Sequence, residues 1–342
     1  MSDTSIAMPG DRVLVTGAGG FIGKKVVDKL LEAGFPDVRC FLKPNSDLTD
    51  FHEMALRYKS SRLEIFQGNL LSQEDCHAAT DDVDVVIHLA VKSDKSFASS
   101  YMNTVVTTKN LLEAISGSRI RRFVNVSSFA VYSTEKLGNG DVLDERCEVD
   151  GDVLERHEAY AYVKCKQDQL VHGHLGKYGI PYITLRPGAV YGPGQKKISG
   201  RVGIDTFGIF IQIGRENSIP LTYVDNCADA IVLAATKDCI RNEIINVVDG
   251  DLVKNKEFIR RYKRKHRDFR SIYCPYSIFY LFCHAWEKYA EWSWNQLPPA
   301  FNRNRCRTYH KSLRFSNEKL KNLLGWEQRI PTAKGIENYL EG

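Results

Sequence analysis

The chain lacks any hydrophobic run long enough to cross a bilayer, since none of its 342 residues fall in an apolar stretch of about 18 or more. We therefore expect no membrane-spanning helix. Residues 1–10 also lack the apolar core of a signal peptide, and we expect them to form a flexible tail. With neither feature present, we predict a cytoplasmic location.

Paired cysteines are also missing. The nine cysteines are scattered and none forms a Cys-x-x-Cys pair, which argues against a disulfide framework or a zinc site and favours reduced thiols in a cytosol. Histidines show no metal-ligand spacing with acids or cysteines, so we predict no metal. The histidines in question are His88, His157, His172, His174 and His284.

The chain has little net charge, +5 from 47 basic and 42 acidic residues. This is too little to indicate a nucleic-acid partner. Hydrophobic residues make up 43% of the chain and charged residues 26%, as in an ordinary globular protein with a large core. No internal repeat or low-complexity segment is visible.

What the chain does contain is an alternation of apolar strand-like runs and helical patterns through its first half. Helices are predicted from residue 21 to about 33, at 104–115 and at 160–175, and strands at 12–15, 38–42, 63–66, 83–89, 122–126 and 182–186. Such alternation predicts an α/β fold, a doubly wound parallel sheet with helices on both faces.

The regular alternation ends at Gly192-Pro193-Gly194. We predict a nucleotide-binding domain at 11–190, to which residues 223–248 return, and a smaller α/β substrate-binding region within 191–342. An amphipathic helix is predicted at 222–235.

The most informative motif is a glycine-rich turn between the first strand and the first helix. Gly17 and Gly20 allow a tight turn and a close approach to a pyrophosphate, and Gly23 allows the helix to pack on the strand. Phe21 and Ile22 open the helix, whose N-terminal N–H groups can hold phosphate. The motif predicts a dinucleotide site, although a structural glycine turn would look similar.

Tyr160 and Lys164 stand four residues apart in a helical segment, which places both on one face. A phenol is a poor base at neutral pH, but a neighbouring ammonium would lower its pKa, so the pair could form an acid/base unit. Ser127 and Ser128 end the fifth strand, at the sheet edge where such folds bind ligands. A surface Tyr and Lys, and a serine that only satisfies backbone, are the alternatives.

Taken together, these motifs resemble the extended short-chain dehydrogenase/reductase superfamily, in particular its NAD-dependent epimerase/dehydratase family. The match runs from residue 11 to about 235, in the family's order, and comprises 16–23, 88–90, Asn103, Ser127-Ser128, Val131-Tyr132, 160–164, 185–188 and 223–225. The resemblance implies a Rossmann-type fold. The residues leave the oligomeric state open, although helices 104–115 and 160–175 could form the homodimer that the family often shows.

The resemblance also implies roles for individual residues. Tyr160 would be the catalytic acid/base, Ser128 would orient the substrate oxygen, and Lys164 would bind the nicotinamide ribose and lower the pKa of Tyr160. The cofactor-binding candidates are Gly17, Gly20, Phe21, Ile22, Gly23, Lys43, Asn69, Leu70, Leu89, Ala90, Asn103, Tyr160, Lys164 and Pro187.

At two positions this chain departs from the patterns of the family's subgroups, and these departures narrow the expected chemistry. Sugar dehydratases and decarboxylases of the family carry acids after the catalytic hydroxyl, whereas this chain has Phe129 and Ala130. We therefore expect hydride transfer at a secondary alcohol or ketone, as in a 4-epimerase or ketoreductase acting on a nucleotide sugar for polysaccharide biosynthesis. A 3β-hydroxysteroid- or dihydroflavonol-type dehydrogenase, or a non-catalytic nucleotide sensor or scaffold, are the alternatives.

The cofactor follows from the end of the second strand. NAD-preferring relatives place an acid there to bind the ribose 2′-hydroxyl. This chain has Leu42 and then Lys43, while Asp37 lies at the opposite end. A cation suits a 2′-phosphate, so NADP is favoured over NAD, with a solvated surface lysine as the alternative.

Residues 260–294 combine a basic cluster with an aromatic run that includes Trp286, Trp292 and Trp294. They fit a solvated basic face followed by a buried helix, a lid over a nucleotide sugar, or a weak contact with a membrane surface. The sequence alone leaves the three open.

Overall fold

A computed structural model describes residues 10–92, 96–151, 153–195, 198–206, 208–238, 240–266, 268–294, 296 and 301–342. The strands are β1 Arg12–Thr16, β2 Asp37–Leu42, β3 Arg62–Gln67, β4 Val85–His88, β5 Arg122–Val126, β6 Val142–Leu143, β7 Tyr182–Pro187, β8 Ala189–Tyr191, β9 Gly203–Thr206, β10 Ile209–Ile213, β11 Leu221–Tyr223, β12 Glu243–Val247, β13 Ser271–Cys274 and β14 Arg314–Phe315.

The α-helices are α1 Phe21–Glu32, α2 Thr49–Arg57, α3 Gln73–Thr80, α4 Phe97–Tyr101, α5 Thr107–Ala114, α6 Ala159–Tyr178, α7 Val224–Thr236, α8 Asn255–Lys265, α9 Tyr276–Trp292, α10 Arg303–His310, α11 Glu318–Leu324 and α12 Thr332–Glu341. A π-helical turn, Met102–Val106, joins α4 to α5, and short 3₁₀ turns lie at Phe129–Val131 and Val153–Arg156.

Seven parallel strands form the central sheet in the order β12-β7-β5-β4-β1-β2-β3. The predicted doubly wound α/β fold is confirmed. β1, β4 and β5 are almost wholly buried because helices cover both faces of the sheet, α1 and α7 on one and α3, α5 and α6 on the other. The strand order reverses at β1, whose neighbours are β2 and β4, and a crevice opens there at the carboxyl edge.

Two predicted helices have different bounds. Residues 104–115 form only the later part of a longer helical segment that begins at Phe97 and contains the π turn. The helix predicted at 222–235 begins only at Val224. Its first two predicted residues belong to β11, which pairs with β8 in register Leu221↔Ala189. A small sheet, β13-β10-β9, lies in the C-terminal part of the chain.

Candidate active site

The glycine-rich turn connects β1 to α1 beneath the central crevice. Gly17 has φ +72°, and a Cβ there would lie 2.8 Å from the backbone nitrogen of Ala90. A Cβ on Gly23 would overlap the carbonyl oxygen of Gly17. Gly20 caps α1 without a side-chain acceptor, which leaves the helix N-terminus available to an anion. The turn therefore fits the pyrophosphate of a dinucleotide.

A cleft of about 700 Å³ runs from this turn along the carboxyl ends of the strands. It brings together all the site residues proposed from the sequence. They are Gly17, Gly20, Phe21, Ile22, Gly23, Lys43, Asn69, Leu70, Leu89, Ala90, Asn103, Ser128, Tyr160, Lys164 and Pro187.

Some of these side chains are already engaged within the protein. The Asn69 Oδ1 accepts from the Leu71 N–H at 3.0 Å, and the Asn103 Nδ2 donates to the Ser99 carbonyl at 2.8 Å. Leu70 is largely buried in the core. Lys43, by contrast, is exposed at the rim beyond β2.

Other cleft residues carried no motif. Ser46, Asp47, Thr107 and Gln195 all line it. The Asp47 carboxylate accepts from the Thr49 N–H at 3.0 Å and from the Thr49 hydroxyl at 2.7 Å, at the start of α2. The Asp47 carboxylate and the Lys43 ammonium thus line the same cleft, which the sequence motifs did not indicate.

Ser128 and Tyr160 meet across the cleft. Ser128 follows β5, and its Oγ accepts from the Ala130 N–H at 3.2 Å. Tyr160 is the second residue of α6, and it lines the same cleft as Ser128, whose side chain is close enough to act on the pKa of Tyr160. Two hydroxyl groups therefore converge where a substrate oxygen could bind both.

Lys164 lies one turn further along α6 and is buried. Its Nζ donates to the Val126 carbonyl at 2.7 Å and to the Gln167 Oε1 at 2.8 Å. Burial lowers the pKa of Lys164 to about 8. Two of the three ammonium donors bind these acceptors, and a cofactor hydroxyl could take the third.

The expectation that Lys164 lowers the pKa of Tyr160 is not met in this structure. Burial raises the pKa of Tyr160, and the side chain of Ser128 opposes that shift. Lys164 is not among the groups that shift the pKa of Tyr160, and its ammonium donates to Val126 and Gln167.

A buried polar chain continues from Gln167 to β1. The Gln167 Nε2 donates to the Thr108 Oγ1 at 2.9 Å, and His88 joins Thr108 at 2.9 Å and Thr16 at 2.7 Å. Because the Thr108 hydroxyl donates to the Thr104 carbonyl at 2.6 Å, we assign the proton of His88 to Nε2. Burial lowers the pKa of His88 to about 3, so the ring is neutral at physiological pH.

Asp168, the residue after Gln167, supports the serines. Its carboxylate accepts from the Asn125 amide and the Ser127 hydroxyl, both at 2.9 Å, and pairs with the Arg186 guanidinium at 3.1 Å. Asp168 thus connects α6 to β5, to the turn that follows β5, and to β7 beneath the cleft. Asp168 and Gln167 were not predicted from the sequence, where their only signal was a position on the helix of Tyr160.

A second cavity of about 750 Å³ lies in the C-terminal part of the chain. Tyr309 connects it to the first site, because its hydroxyl is hydrogen-bonded to Glu158, two residues before Tyr160. Among the described residues, the His310 Nδ1 that reaches this cavity is buried with no hydrogen-bond partner. Six Phe and Tyr rings line it, together with the cation Arg305. The rings are those of Phe210, Tyr262, Phe269, Phe279, Phe301 and Tyr309.

Comparison with known proteins identifies the family of the chain. The model of the NAD-dependent epimerase/dehydratase family matches residues 13–247. The chain belongs to this family. Its members are NAD-dependent enzymes that act on CH–OH groups.

Two curated relatives differ in chemistry. A trifunctional UDP-glucose 4,6-dehydratase/UDP-4-keto-6-deoxy-D-glucose 3,5-epimerase/UDP-4-keto-L-rhamnose-reductase of Arabidopsis thaliana is 30% identical over 202 residues, 54% of this chain and 28% of that protein. A 3β-hydroxysteroid dehydrogenase/Δ5→4-isomerase of Mycobacterium tuberculosis is 27% identical over 248 residues, 69% of this chain and 63% of that protein. The matched region thus spans less than two thirds of either relative.

Among solved structures, the UDP-glucuronic acid 4-epimerase of Bacillus cereus in complex with NAD superposes with a TM-score of 0.71 at 21% identity. The superposition covers 96% of this chain and 97% of that one. At this identity the likeness establishes the fold of nearly the whole chain.

Among the described residues, no group of three or more His, Cys, Asp and Glu side chains could hold a metal ion.

Proposed function

We propose that this chain catalyses hydride transfer at a secondary alcohol or ketone, as an epimerase or oxidoreductase. The observation that carries the proposal is the pair of hydroxyls, Ser128 and Tyr160, beside buried Lys164 at the end of a glycine-lined cleft. A bound nicotinamide dinucleotide would supply the hydride acceptor or donor. Tyr160 exchanges the proton of the substrate oxygen, Ser128 hydrogen-bonds that oxygen, and Lys164 holds the ribose.

Chemistry at the single carbinol carbon is favoured over elimination or decarboxylation. Phe129 and Ala130 follow Ser128, are almost fully buried and carry no ionisable group. Neither can take a proton from carbon. This leaves a net oxidation or reduction, or the transient oxidation of a 4-epimerase.

A nucleotide sugar for polysaccharide biosynthesis is the proposed substrate. The Arabidopsis relative is named for UDP-sugar chemistry, and the Bacillus cereus neighbour is a UDP-sugar epimerase. The second cavity is joined to the helix of Tyr160 through Tyr309 and Glu158, and Arg305 lines it. A sugar beside Tyr160 could extend its nucleotide toward this cavity.

A hydroxysteroid- or dihydroflavonol-type substrate is the second candidate. Six aromatic rings line the second cavity, which suits an apolar ring system as well as a nucleotide base. The mycobacterial relative is named as a hydroxysteroid enzyme.

The cofactor is proposed to be NADP or NAD, with NADP favoured because Lys43 stands at the rim beyond β2. Two further proposals concern the setting. Cytoplasmic location agrees with eight free cysteines among the described residues, and a homodimer would use the outer faces of α5 and α6.

The function is tested with a panel of nucleotide sugars and hydroxysteroids, each with NAD and NADP, analysed by product chromatography because epimerisation leaves absorbance unchanged. Turnover of one substrate class assigns the substrate. Cofactor binding with no turnover of any secondary alcohol or ketone would instead favour a sensor or scaffold.

Tyr160→Phe tests the assigned acid/base. Removing the hydroxyl should lower kcat by roughly 10²–10⁴-fold, while calorimetry still detects cofactor binding. Tyr162→Phe is the matched control, because Tyr162 lies on the same helix and packs on Phe97 and Tyr101 instead of lining the cleft. Unchanged turnover in Tyr160→Phe would contradict the assignment.

A further inference from the structure

Large exposed apolar side chains are concentrated in one segment of the chain. Of the 18 large hydrophobic residues that are exposed in the described chain, eight lie between residues 272 and 294. We call these eight the apolar face. They are Ile272, Tyr273, Ile278, Leu281, Phe282, Tyr289, Trp292 and Trp294.

Five members of the apolar face share one side of α9. The opposite side of this helix packs inward through Phe279, Cys283 and Ala290, which are all buried. At 100° per residue, Ile278, Leu281, Phe282, Tyr289 and Trp292 fall in one sector facing away from them. Leu281, Trp292 and Trp294 are 66%, 76% and 89% exposed. Patches of this kind mark binding surfaces on monomeric proteins.

A basic groove adjoins the apolar face. It is lined by Arg215 and by four cations of α8, namely Lys256, Arg260, Lys263 and Arg264. The Arg215 guanidinium lies over the Tyr273 ring, 4.2 Å from its centroid. Tyr273, a member of the apolar face, therefore contacts the groove directly.

The combination matches the two layers of a membrane surface. Cations suit anionic lipid headgroups, and exposed Trp, Phe and Leu side chains suit the acyl boundary. None of the helices that the structure describes has the length and hydropathy needed to cross a bilayer. The 17-residue α9 can instead lie parallel to the surface.

We propose that the apolar face and the basic groove bind the protein peripherally to an anionic phospholipid membrane. A second copy of the chain is the competing occupant. A second copy would cover the apolar face, whereas anionic lipid would cover that face and also neutralise the cations of the basic groove.

The proposal is independent of the assigned reaction, since none of these residues lines the cleft of Tyr160. It has one consequence for the C-terminal cavity. Phe279 and Cys283, on the inner side of α9, line that cavity. Docking would therefore place the cavity one helix away from the lipid.

Vesicle flotation of the full chain tests the proposal, with phosphatidylcholine vesicles that either contain or lack phosphatidylserine. Binding is expected only with phosphatidylserine and should weaken as salt rises, because salt screens the cations. Tryptophan emission should shift to the blue on binding as Trp292 and Trp294 enter the boundary.

Two variants separate the contributions. Arg260→Gln/Lys263→Gln/Arg264→Gln should weaken partitioning by roughly 100-fold, and Trp292→Ala/Trp294→Ala should abolish the blue shift and weaken binding. Matched controls are Lys59→Gln/Lys177→Gln/Arg241→Gln and Leu56→Ala, which change exposed residues elsewhere. The controls should bind as the unaltered protein does.

Absence of binding to phosphatidylserine vesicles at low salt would overturn the proposal. So would binding that neither variant weakens. A dimer in sedimentation velocity that Trp292→Ala dissociates, with no vesicle binding, would identify the surface as a subunit interface and equally overturn it.

Discussion

Lys164 owes its position to Gln167 as much as to its own helix. The ammonium has a backbone and a side-chain acceptor, Val126 and Gln167. Gln167 is itself fixed by Thr108, which His88 also contacts. A neutral histidine thus helps to hold a cation in place through two intermediates.

Gln167→Ala should misplace Lys164. Loss of a hydrogen bond to a charged group corresponds to roughly 10–100-fold in cofactor affinity, measured by calorimetry. Gln167→Glu should instead raise the pKa of Lys164 and move the alkaline limb of the pH–rate profile upward, because a carboxylate stabilises the ammonium.

Gln169→Ala is the control for Gln167→Ala. Gln169 accepts from the Lys166 ammonium at 3.2 Å on the exposed side of the same helix. If both alanine variants lowered affinity equally, the effect would belong to helix stability and not to Lys164.

Lys43 tests the cofactor preference. Lys43→Ala should weaken NADP by about tenfold while leaving NAD nearly unchanged, since one charge-assisted hydrogen bond to the 2′-phosphate is lost. Dissociation constants for both cofactors give the ratio. An unaltered ratio would remove the argument for NADP, and Lys59→Ala serves as a control for surface charge.

At the scale of secondary-structure elements, Asp168 fastens α6 to β5 and β7. Its carboxylate accepts hydrogen bonds from Asn125 and Ser127 and forms an ion pair with Arg186. All four side chains are buried. Ser128 follows Ser127 directly, so this contact also fixes the turn that presents the Ser128 hydroxyl to the cleft.

Asp168→Ala should lower the free energy of unfolding by about 3–5 kcal/mol, because Arg186 is left buried without a counter-charge. Chemical denaturation measures the change. Glu148→Ala, which breaks the exposed pair with Lys136, should leave the free energy of unfolding nearly unchanged. A loss no larger than that of Glu148→Ala would contradict the structural role of Asp168.

At the scale of the whole molecule, Asp249 connects the sheet to the C-terminal segment. Following β12, it accepts from the Tyr223 N–H at 2.9 Å and the Asn226 amide at 3.0 Å. Asn226 also binds the backbone of Ile330. Burial raises the pKa of Asp249 to about 7 despite these hydrogen bonds.

Stability should therefore fall as pH rises. The folded protein retains the Asp249 proton up to about pH 7, whereas an unfolded aspartate loses it near pH 4. The contribution is complete below about pH 4 and is lost as pH rises through about 7, and it amounts to a few kcal/mol.

Denaturation of the protein and of Asp249→Asn between about pH 5 and 8 measures this contribution. The variant should show a smaller decline over that range. Parallel pH dependence in both proteins would assign the decline to other groups.

The parallel sheet and the residues that gather along its edge could be predicted from the amino-acid sequence alone. Those features are local: a glycine turn between a strand and a helix, a four-residue spacing, and hydroxyls after a strand. In a parallel sheet the carboxyl ends of all strands meet at one edge, so residues far apart in the chain converge without further information.

Other features depend on contacts between segments that are far apart in the chain, so only the folded structure shows them. The first part of the predicted helix at residues 222–235 is strand because β8 lies beside it. Burial, and not Lys164, governs the pKa of Tyr160, and Gln167 and Asp168 gained their partners only on packing. The sequence of α9 has apolar residues on two sides and does not show which side is buried. That depends on the elements that pack against the helix.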